Sequence, residues 1–466
     1  MFKRNYLLFI FLFLYLVLGL LTIFFFDGTG DAGDSVMHYL LARYAPRHPE
    51  LFFNHWAKPV YVLLVSPFAQ LGLNGVKLFN LLALMLTIIF TYLSARILKI
   101  SNSNIVPVFI IFAPYVFAQT FSGLTEPLFA LFLVVGIYLV LKDKPMPAAI
   151  VISFLPFVRS EGLIIIGVFA LYFIFKKNWS NLLWLLCGHV CYSLAGYFVN
   201  HDLLWVFRKI PYASLASPYG SGSIFHFVYQ LFYVLGVPVF ILFLLGVVSY
   251  LPRWTAKNHN KIAENYFLIL GCAITFIVAH SIFWKFGIFN SMGLKRVLIG
   301  IIPLLALIAL QGFNLISEKI FSSRPLKLTV QLIVVAYILI FPFTGNPAAL
   351  NINKDLSLDK GQQKAWEVAS FVNKNFASRG KMVYAYPYFS VTFDMDHFDK
   401  AKHLELNRDA LHSLHAGDLV LWDDWFAYKT LDISPEFLEN TPGIKKIKEF
   451  YAEGASSATF ILFECK

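Results

Sequence analysis

Long runs of apolar residues divide this sequence and constrain its fold more than any other feature. Candidate runs occupy residues 6–26, 75–98, 104–121, 126–141, 146–158, 163–175, 179–199, 224–250, 264–284, 296–312 and 328–344. A helix that crosses a bilayer needs roughly 20 apolar residues, so the runs predict a polytopic membrane protein with about 11 transmembrane helices. Three runs between residues 126 and 175 are short enough to be tilted or partly re-entrant. Hydrophobic residues make up 58% of the chain and charged residues only 14%, which is far from the usage of soluble domains.

The basic residues between these runs indicate how the chain crosses the membrane. Cytoplasmic loops carry an excess of Lys and Arg, and every second connection is basic. These residues are Lys3, Arg4, Arg96, Lys99, Lys142, Lys144, Lys176, Lys177, Arg253, Lys257, Lys261, Lys319, Arg324 and Lys327. The pattern predicts a cytoplasmic N-terminus and, with an odd number of spans, an extracytoplasmic C-terminus.

The net charge of +11 would suggest a nucleic-acid partner in a soluble protein. Here it is interpreted as topology signals and contacts with lipid phosphates, so membrane lipids are expected as partners and nucleic acid is not. The glycosylation sequon Asn178-Trp-Ser180 lies on a predicted cytoplasmic edge, which argues against the secretory pathway. We therefore expect a bacterial inner membrane.

A change in composition near residue 346 divides the chain into two domains. Residues 1–345 hold the apolar runs, whereas residues 346–466 are polar and contain no spanning run. Within the second part, residues 361–376 predict a helix, and three segments rich in β-formers predict strands. These strand segments are 381–386, 418–422 and 459–464. The predicted fold class is an all-α polytopic membrane domain followed by a small extracytoplasmic α/β domain.

The predicted topology gathers ionisable residues at the outer boundary of the membrane. They come from distant parts of the chain: Asp27, Asp31, Asp34, Glu126, Arg159, Glu161, Lys285, Lys295 and Arg296. Residues 51–72, interrupted by Pro59 and Pro67, are predicted to form an interfacial element on the same side. A site at this boundary could act on a substrate that has a lipid tail and a polar head.

The first outer loop, residues 27–74, contains the candidate catalytic carboxylates. A helix is predicted from about Ser35, and the i,i+4 spacing places Asp34 and His38 on one face and Tyr39 and Arg43 on another. Asp34 could accept a proton as a general base, or it could cap the helix. Three aspartates in one loop also leave a divalent metal open, although the spacing matches no standard loop. We expect no other cofactor.

Three further segments place charges beside hydrocarbon. Glu126, before Pro127, suits the start of a helix, or it orients a substrate or a cationic partner. Arg159 and Glu161 are costly there unless they pair, with each other or through Glu126, or unless Arg159 binds a lipid phosphate. Lys295 and Arg296 violate the positive-inside pattern, which favours binding to a phosphate head group over simple snorkelling.

The polar second domain offers two weaker candidates. His412, His415 and Asp418 could suggest a metal site, but surface histidines beside a loop are the more common explanation. Trp425, at the end of a predicted strand, could stack on a sugar face, or it could simply pack.

Several of these segments, in this order, resemble motifs of the GT-C class of integral membrane glycosyltransferases. The motifs are Asp34-x-x-x-x-Tyr39-x-x-x-Arg43, His55-Trp56-Ala-Lys58-Pro59, Thr125-Glu126-Pro-Leu-Phe, Arg159-Ser-Glu161-Gly162 and Gly293-Leu-Lys295-Arg296. The third and fourth look like the paired motifs of the GPI-type mannosyltransferase branch. The resemblance covers roughly residues 6–344, and the tail matches nothing.

The resemblance implies transfer of a sugar, with inversion, from a polyprenyl- or dolichyl-phosphate donor at the outer membrane face. Asp34 falls at the position of the family's catalytic Asp, and Asp31 is a rival candidate. The expected substrate-binding residues are His38, Arg43, His55, Glu126, Arg159, Glu161, Lys295 and Arg296. The acceptor would be a glycan, a lipid or a protein. Alternative hypotheses are a transporter or flippase, a surface-glycan polymerase or ligase, and a non-catalytic membrane partner that presents the tail.

Overall fold

The computed structural model describes residues 6–212, 217, 219–250, 263–316 and 323–466. We call residues 1–345 the membrane domain and residues 346–466 the tail domain. Helices account for most of the described part of the membrane domain. The topology signals at Lys3, Arg4, Arg253, Lys257, Lys261 and Lys319 lie outside the described residues.

The α-helices of the membrane domain follow the predicted runs closely. They are α1 (Tyr6–Phe25), α2 (Asp34–Tyr44), α3 (Pro59–Ala69), α4 (Leu73–Ile97), α5 (Val106–Ile111), α6 (Pro114–Thr120), α7 (Glu126–Leu141), α8 (Pro145–Ser153), α9 (Gly162–Phe175), α10 (Ser180–Trp184), α11 (Cys187–Asn200), α12 (Trp205–Arg208), α13 (His226–Leu235), α14 (Val237–Tyr250), α15 (Cys272–Phe286), α16 (Ile302–Asn314) and α17 (Arg324–Ile340). Tighter or wider turns extend α15 backward over Glu264–Gly271 and α16 backward over Lys295–Ile301.

Six of the described helical segments are long and apolar enough to cross a bilayer. They are Tyr6–Phe25, Leu73–Ile97, Ser180–Asn200, Glu264–Phe286, Lys295–Asn314 and Arg324–Phe343. Ser103–Ile111 and Pro114–Thr120 form a pair bent by 68°, which adds a seventh crossing if the pair is one span. Helix forms at each predicted run, but several helices are shorter than a bilayer requires, so the predicted total of about 11 spans is not confirmed.

The run at 224–250, predicted as one span, is two helices. Gly236 separates α13 from α14 with φ at 73°, a left-handed conformation that glycine adopts without strain. A Cβ at Gly236 would lie 2.7 Å from the ring of Phe341, so the break also lets the end of α17 approach closely. Gly236 and Pro238 are the signal in the sequence that predicts such a break.

The centre of the membrane domain depends on close contact between α14 and α16. Residues Lys295–Asn314 are completely buried across their apolar window, and glycines let the two helices approach. A Cβ at Gly246 would lie 1.9 Å from the carbonyl oxygen of Ile308, and one at Gly312 would lie 1.9 Å from that of Leu242. Small residues of this kind are typical where membrane helices pack backbone to backbone.

The tail domain is built on a mixed five-stranded sheet with the order β2-β1-β3-β5-β4. The strands are β1 (Met382–Tyr384), β2 (His403–Glu405), β3 (Leu419–Asp423), β4 (Ile444–Phe450) and β5 (Phe460–Cys465). Its helices are α18 (Ile352–Asp355), α19 (Lys360–Asn375), α20 (Tyr388–Thr392), α21 (Arg408–Leu411) and α22 (Pro435–Glu439). The predicted helix and three strands are present at α19, β1, β3 and β5, whereas β2 and β4 were not predicted.

One face of the tail sheet packs into the core of the membrane domain. Tyr384, Leu421 and Phe460 point to the same side and belong to a continuous apolar cluster that includes α1 to α4. Val420 and Phe463 point to the other side and form a separate small cluster. The alternation of side chains along each strand therefore joins the tail to the membrane domain.

We predict that Gly312→Ala destabilises the protein by about 1–3 kcal/mol, because the added methyl group overpacks the contact with Leu242. Helix propensity alone would favour alanine over glycine. The matched control is Gly167→Ala in α9, where an added Cβ meets nothing within 4 Å. Thermal unfolding in detergent should show a lower Tm for Gly312→Ala only, and equal Tm values would contradict the close approach.

Candidate functional site

The site lies at the ends of the helices that face the tail domain. Asp31 and Asp34 follow α1, Glu126 begins α7, Arg159 and Glu161 precede α9, and Arg296 opens the helical segment that leads into α16. The structure thus brings together six of the ionisable residues that the predicted topology places at one membrane boundary. Lys285 and Asp27 are exposed and have no salt bridge among the described residues.

Arg296 is the centre of this cluster. One guanidinium nitrogen lies 2.5 Å from Asp31 Oδ2, and the other bonds Oδ2 of Asp34. The third nitrogen, Nε, lies 3.5 Å from Oε1 of Glu126. The Arg296 side chain is only 13% exposed, so its charge is balanced by protein carboxylates rather than by water.

Arg159 extends the network through the same glutamate. Its guanidinium lies 2.8 Å from Glu126 Oε1 and 2.7 Å from Glu161 Oε1, and it donates to Thr125 Oγ1 at 3.0 Å. The sequence offered two ion pairs of Arg159, with Glu161 and with Glu126, as alternatives to phosphate binding, and both pairs are present. Beside the charge of Arg159, the pKa of the buried Glu161 carboxyl falls to about 2 despite the opposing effect of burial.

The two candidate aspartates have different surroundings. Asp31 Oδ1 accepts hydrogen bonds from the backbone N–H groups of Gly33 and Ser35, so Asp31, rather than Asp34, satisfies a backbone N–H in the first turn of α2. Asp34 binds Arg296 through Oδ2, and within the described chain no donor reaches its Oδ1. Its side chain is 40% exposed and lines a cavity, whereas Asp31 does not line it.

Burial and Arg296 act in opposite directions on these carboxyls. Burial raises the pKa of Asp31, and the positive charge of Arg296 only partly offsets this effect. Burial also acts to raise the pKa of Asp34, but there the charge of Arg296 prevails and the pKa is below its usual value. Asp34 is therefore ionised at neutral pH and presents one unengaged oxygen to the cavity.

The cavity beside Asp34 has a volume of about 510 Å³ and is lined by both polar and apolar side chains. The polar lining includes Asp34, His38, Lys58, Arg159, Ser160, Glu161, His280 and Arg296. The apolar lining includes Leu163, Ile164, Phe227, Phe283, Phe289, Met292 and Val297. Leu163, Phe289 and Met292 are partly exposed although they line the cavity, so the cavity is open at these apolar side chains.

Lys58 is the functional candidate that the sequence motifs contained but did not single out. Its Nζ donates to Ser160 Oγ at 2.8 Å and to the carbonyl of His55 at 3.1 Å. Within the described ranges it forms no salt bridge with a carboxylate. Burial lowers the pKa of the Lys58 ammonium to about 7, although the Glu161 carboxylate acts in the opposite direction. The backbone of Lys58 has φ at 68°, which is strained for a residue other than glycine, and strain of this kind is typical of functional sites.

Aromatic rings line the cavity next to Asp34. The imidazole of His38 stacks on Trp56 with ring centroids 4.9 Å apart, and the Trp56 indole N–H donates to the Tyr212 hydroxyl. Burial lowers the pKa of His38 to about 3, so His38 is neutral at pH 7. The predicted shared face of Asp34 and His38 is present, since both side chains line the cavity.

Four predicted binding residues do not line the cavity: Glu126, which is buried in the charge network, and His55, Arg43 and Lys295. His55 is buried, and its Nε2 lies 3.0 Å from the carbonyl oxygen of Val206. Arg43 bonds Tyr39 and pairs with Asp394 of the tail domain at 3.4 Å. Lys295 lies 4.1 Å from the centre of the Tyr115 ring, because adjacent residues at a helix start point in different directions.

The tail candidates are separate from this cavity. Trp425 is 49% exposed and has the Lys429 ammonium 4.7 Å from its ring centre. His415 lies 4.0 Å from Asp418. In the described part of the chain no group of three His, Cys, Asp or Glu side chains is arranged to hold a metal ion.

Solved structures with the same architecture are known. ArnT from Cupriavidus metallidurans bound to undecaprenyl phosphate is 12% identical, with a TM-score of 0.63 and 97% of each chain covered. The chain shares the fold of ArnT. The apo form of ArnT has a TM-score of 0.62. The arabinofuranosyltransferase AftD from Mycobacteria has a TM-score of 0.52 at 12% identity, and this chain spans 40% of its length.

The likeness to ArnT and AftD supports the GT-C-like fold predicted from the motifs. It does not confirm the mannosyltransferase branch. No protein-family model matches the sequence, and no curated protein sequence matches it.

We predict that Lys58→Met raises thermal stability more at pH 6 than at pH 9. Below about pH 7 the folded wild type must bury a charged ammonium, and methionine removes that cost, on the order of a few kcal/mol. Between about pH 7 and 10.5 the unfolded chain binds the extra proton, so wild-type stability gains with rising pH. Lys285→Met, at an exposed lysine, serves as control in the same melts. A pH-independent difference between Lys58→Met and wild type would contradict a buried, titrating Lys58.

Proposed function

We propose that this protein is a membrane glycosyltransferase that transfers a sugar, with inversion, from a polyprenyl-phosphate-sugar donor. The observation that carries the proposal is a cavity lined by an ionised carboxylate, Asp34, a buried lysine, Lys58, and apolar side chains such as Leu163 and Phe289. A donor with a phosphate between a sugar and a prenyl chain needs both kinds of lining. The shared fold with ArnT, which was solved with undecaprenyl phosphate, supports the same donor class.

Lys58 is the proposed partner of the donor phosphate. Arg159 and Arg296 are each held by two or more carboxylates, so neither is free to neutralise an incoming anion. Lys58 has only hydroxyl and carbonyl partners among the described residues. A bound phosphate would supply the missing negative charge and keep the ammonium protonated. The prenyl chain would leave the cavity past Leu163 and Phe289.

Asp34 is the proposed general base. As the acceptor oxygen attacks the anomeric carbon, its proton passes to Asp34 Oδ1 and the bond between that carbon and the phosphate oxygen breaks. The electron pair leaves with the polyprenyl phosphate, whose charge Lys58 stabilises. Arg296 holds the other oxygen of Asp34 and fixes the direction of the carboxylate. Asp31, engaged by two backbone N–H groups, supports the loop.

The proposal extends to the sugar, the acceptor, the orientation in the membrane, the location and the domain division. Mannose is the sugar suggested by the branch resemblance, and the acceptor is a glycan, a lipid or a protein. The basic loops support a cytoplasmic N-terminus, a site at the outer face and an extracytoplasmic tail. An undecaprenyl-type donor supports the bacterial inner membrane as the location. The division at 345/346 follows the change in composition, although the two parts share one apolar core.

We predict that Asp34→Asn lowers sugar transfer by about 100-fold or more, because a positioned base contributes about 10² to 10⁴. The measurement is mass spectrometry of lipid-linked and surface glycans from cells that lack the gene, rescued with wild type or with the variant. Loss of one sugar in the deletion and in the Asp34→Asn cells would identify the sugar.

Asp27→Asn is the matched control in the same loop, since Asp27 is exposed and outside the cavity. Full rescue by Asp34→Asn would exclude Asp34 as the base and direct attention to Asp31. Unchanged glycans in the deletion strain would favour the transporter hypothesis.

We predict that Lys58→Met weakens binding of undecaprenyl phosphate by about tenfold or more, because a charge-assisted contact contributes about 1.5–3 kcal/mol. Lys295→Met is the matched control, since Lys295 lies over Tyr115 outside the cavity. Binding is measured on purified protein by competition with a labelled polyprenyl phosphate. Equal loss in the two variants would contradict a specific phosphate contact at Lys58.

A further inference from the structure

The loop that carries the two aspartates is in direct contact with the tail domain. The backbone N–H of Gly28 donates to the carbonyl of Leu356 at 2.8 Å, and a Cβ at Gly28 would lie 2.4 Å from that carbonyl. A Cβ at Gly33 would lie 2.9 Å from the ring of Phe426. Both ends of the loop therefore touch the tail, and both contacts require a glycine.

Gln362, at the start of α19, makes the central contact. It is 1% exposed, and its Nε2 donates to Thr29 Oγ1 at 2.7 Å. The same hydroxyl donates to the backbone carbonyl of Asp31 at 2.7 Å. The amide oxygen of Gln362 accepts from the N–H of Asp359 at 3.2 Å, so both ends of the side-chain amide are engaged. A chain of two hydrogen bonds thus connects the tail to Asp31.

The membrane domain holds the loop from the opposite side. Ser35 Oγ donates to the carbonyl of Thr29 at 2.5 Å and accepts from the N–H of Gly123 at 2.5 Å. Thr29 is therefore held through its backbone by the membrane domain and through its hydroxyl by the tail. Removal of the Gln362 contact leaves the Thr29 hydroxyl without its partner in the tail, while the backbone contacts of Gly28 and Thr29 remain.

We propose that Gln362 is a positioning residue and that the tail domain sets the geometry of the catalytic loop through Thr29. The inference rests on the proposed transferase function. Asp31 and Asp34 share the guanidinium of Arg296, so a shift of the Asp31 backbone moves the acceptor-activating carboxylate as well. Catalytic groups displaced by about 1 Å lose up to about 100-fold in rate. The donor site at Lys58 is not part of this connection.

The test compares two independent disruptions of the same hydrogen bond with matched controls. Gln362→Leu removes the donor, and Gln363→Leu changes the neighbouring glutamine, which is exposed and whose side-chain amide donates to the carbonyl of Leu358. Thr29→Val removes the hydroxyl without altering α19, and Thr29→Ser keeps it. All variants are assayed as full-length protein for kcat, for donor KM and for amide hydrogen exchange at residues 28–31.

We expect kcat to fall about 10-fold in Gln362→Leu and in Thr29→Val, with donor KM unchanged and faster exchange at residues 28–31. Gln363→Leu and Thr29→Ser should behave as wild type, and the double variant Gln362→Leu/Thr29→Val should be no slower than either single variant. A kcat of Gln362→Leu equal to that of Gln363→Leu overturns the proposal, and so do additive losses in the double variant. If wild type itself transfers no sugar, the transferase function fails, and the exchange at residues 28–31 still decides whether Gln362 holds the loop.

Discussion

A buried guanidinium that is shared by three carboxylates is the interaction on which this structure depends. Arg296 contacts Asp31 and Asp34 from the start of the chain and Glu126 from its middle. An isolated charge at the edge of hydrocarbon is costly, so each partner requires the others. The network fixes where α2, α7 and α16 begin relative to one another, and the cavity exists because these helix ends meet.

The distribution of charge around this network separates two tasks. The two arginines are neutralised by carboxylates of the protein, which makes them suited to orient Asp34 and Glu161. Lys58 lacks such a partner among the described residues and is the group suited to an anion from outside. In the proposed transferase, activation of an acceptor and recognition of a phosphate would therefore be carried out by different side chains of one cavity.

The tail domain is part of the same architecture. Its sheet presents alternate residues, such as Tyr384 and Leu421, to the core of the membrane domain, and its helix α19 bonds the loop before Asp31 through Gln362. Composition marks a boundary near residue 346, but packing crosses it.

The strands that were predicted, β1, β3 and β5, are the central ones, whereas β2 and β4 are at the sheet edges. Edge strands are often short or rich in lysine. β2 has three residues and β4 contains several lysines, so neither segment is a run of β-forming residues.

The sequence by itself determined the membrane class, the positions of most helices and the set of ionisable residues at one boundary, because hydrophobic length and periodicity are local properties. It also placed Asp34 and His38 on one helical face. Only the tertiary structure decided which of the basic side chains line the cavity. Lys295 and Arg296 are adjacent in sequence, yet one lies over Tyr115 and the other enters the site, since successive residues of a 3-10 turn point about 120° apart. The ion pair that orients Asp34 and the buried position of Lys58, which has no carboxylate partner among the described residues, depend on contacts between distant segments, which spacing along the chain does not encode.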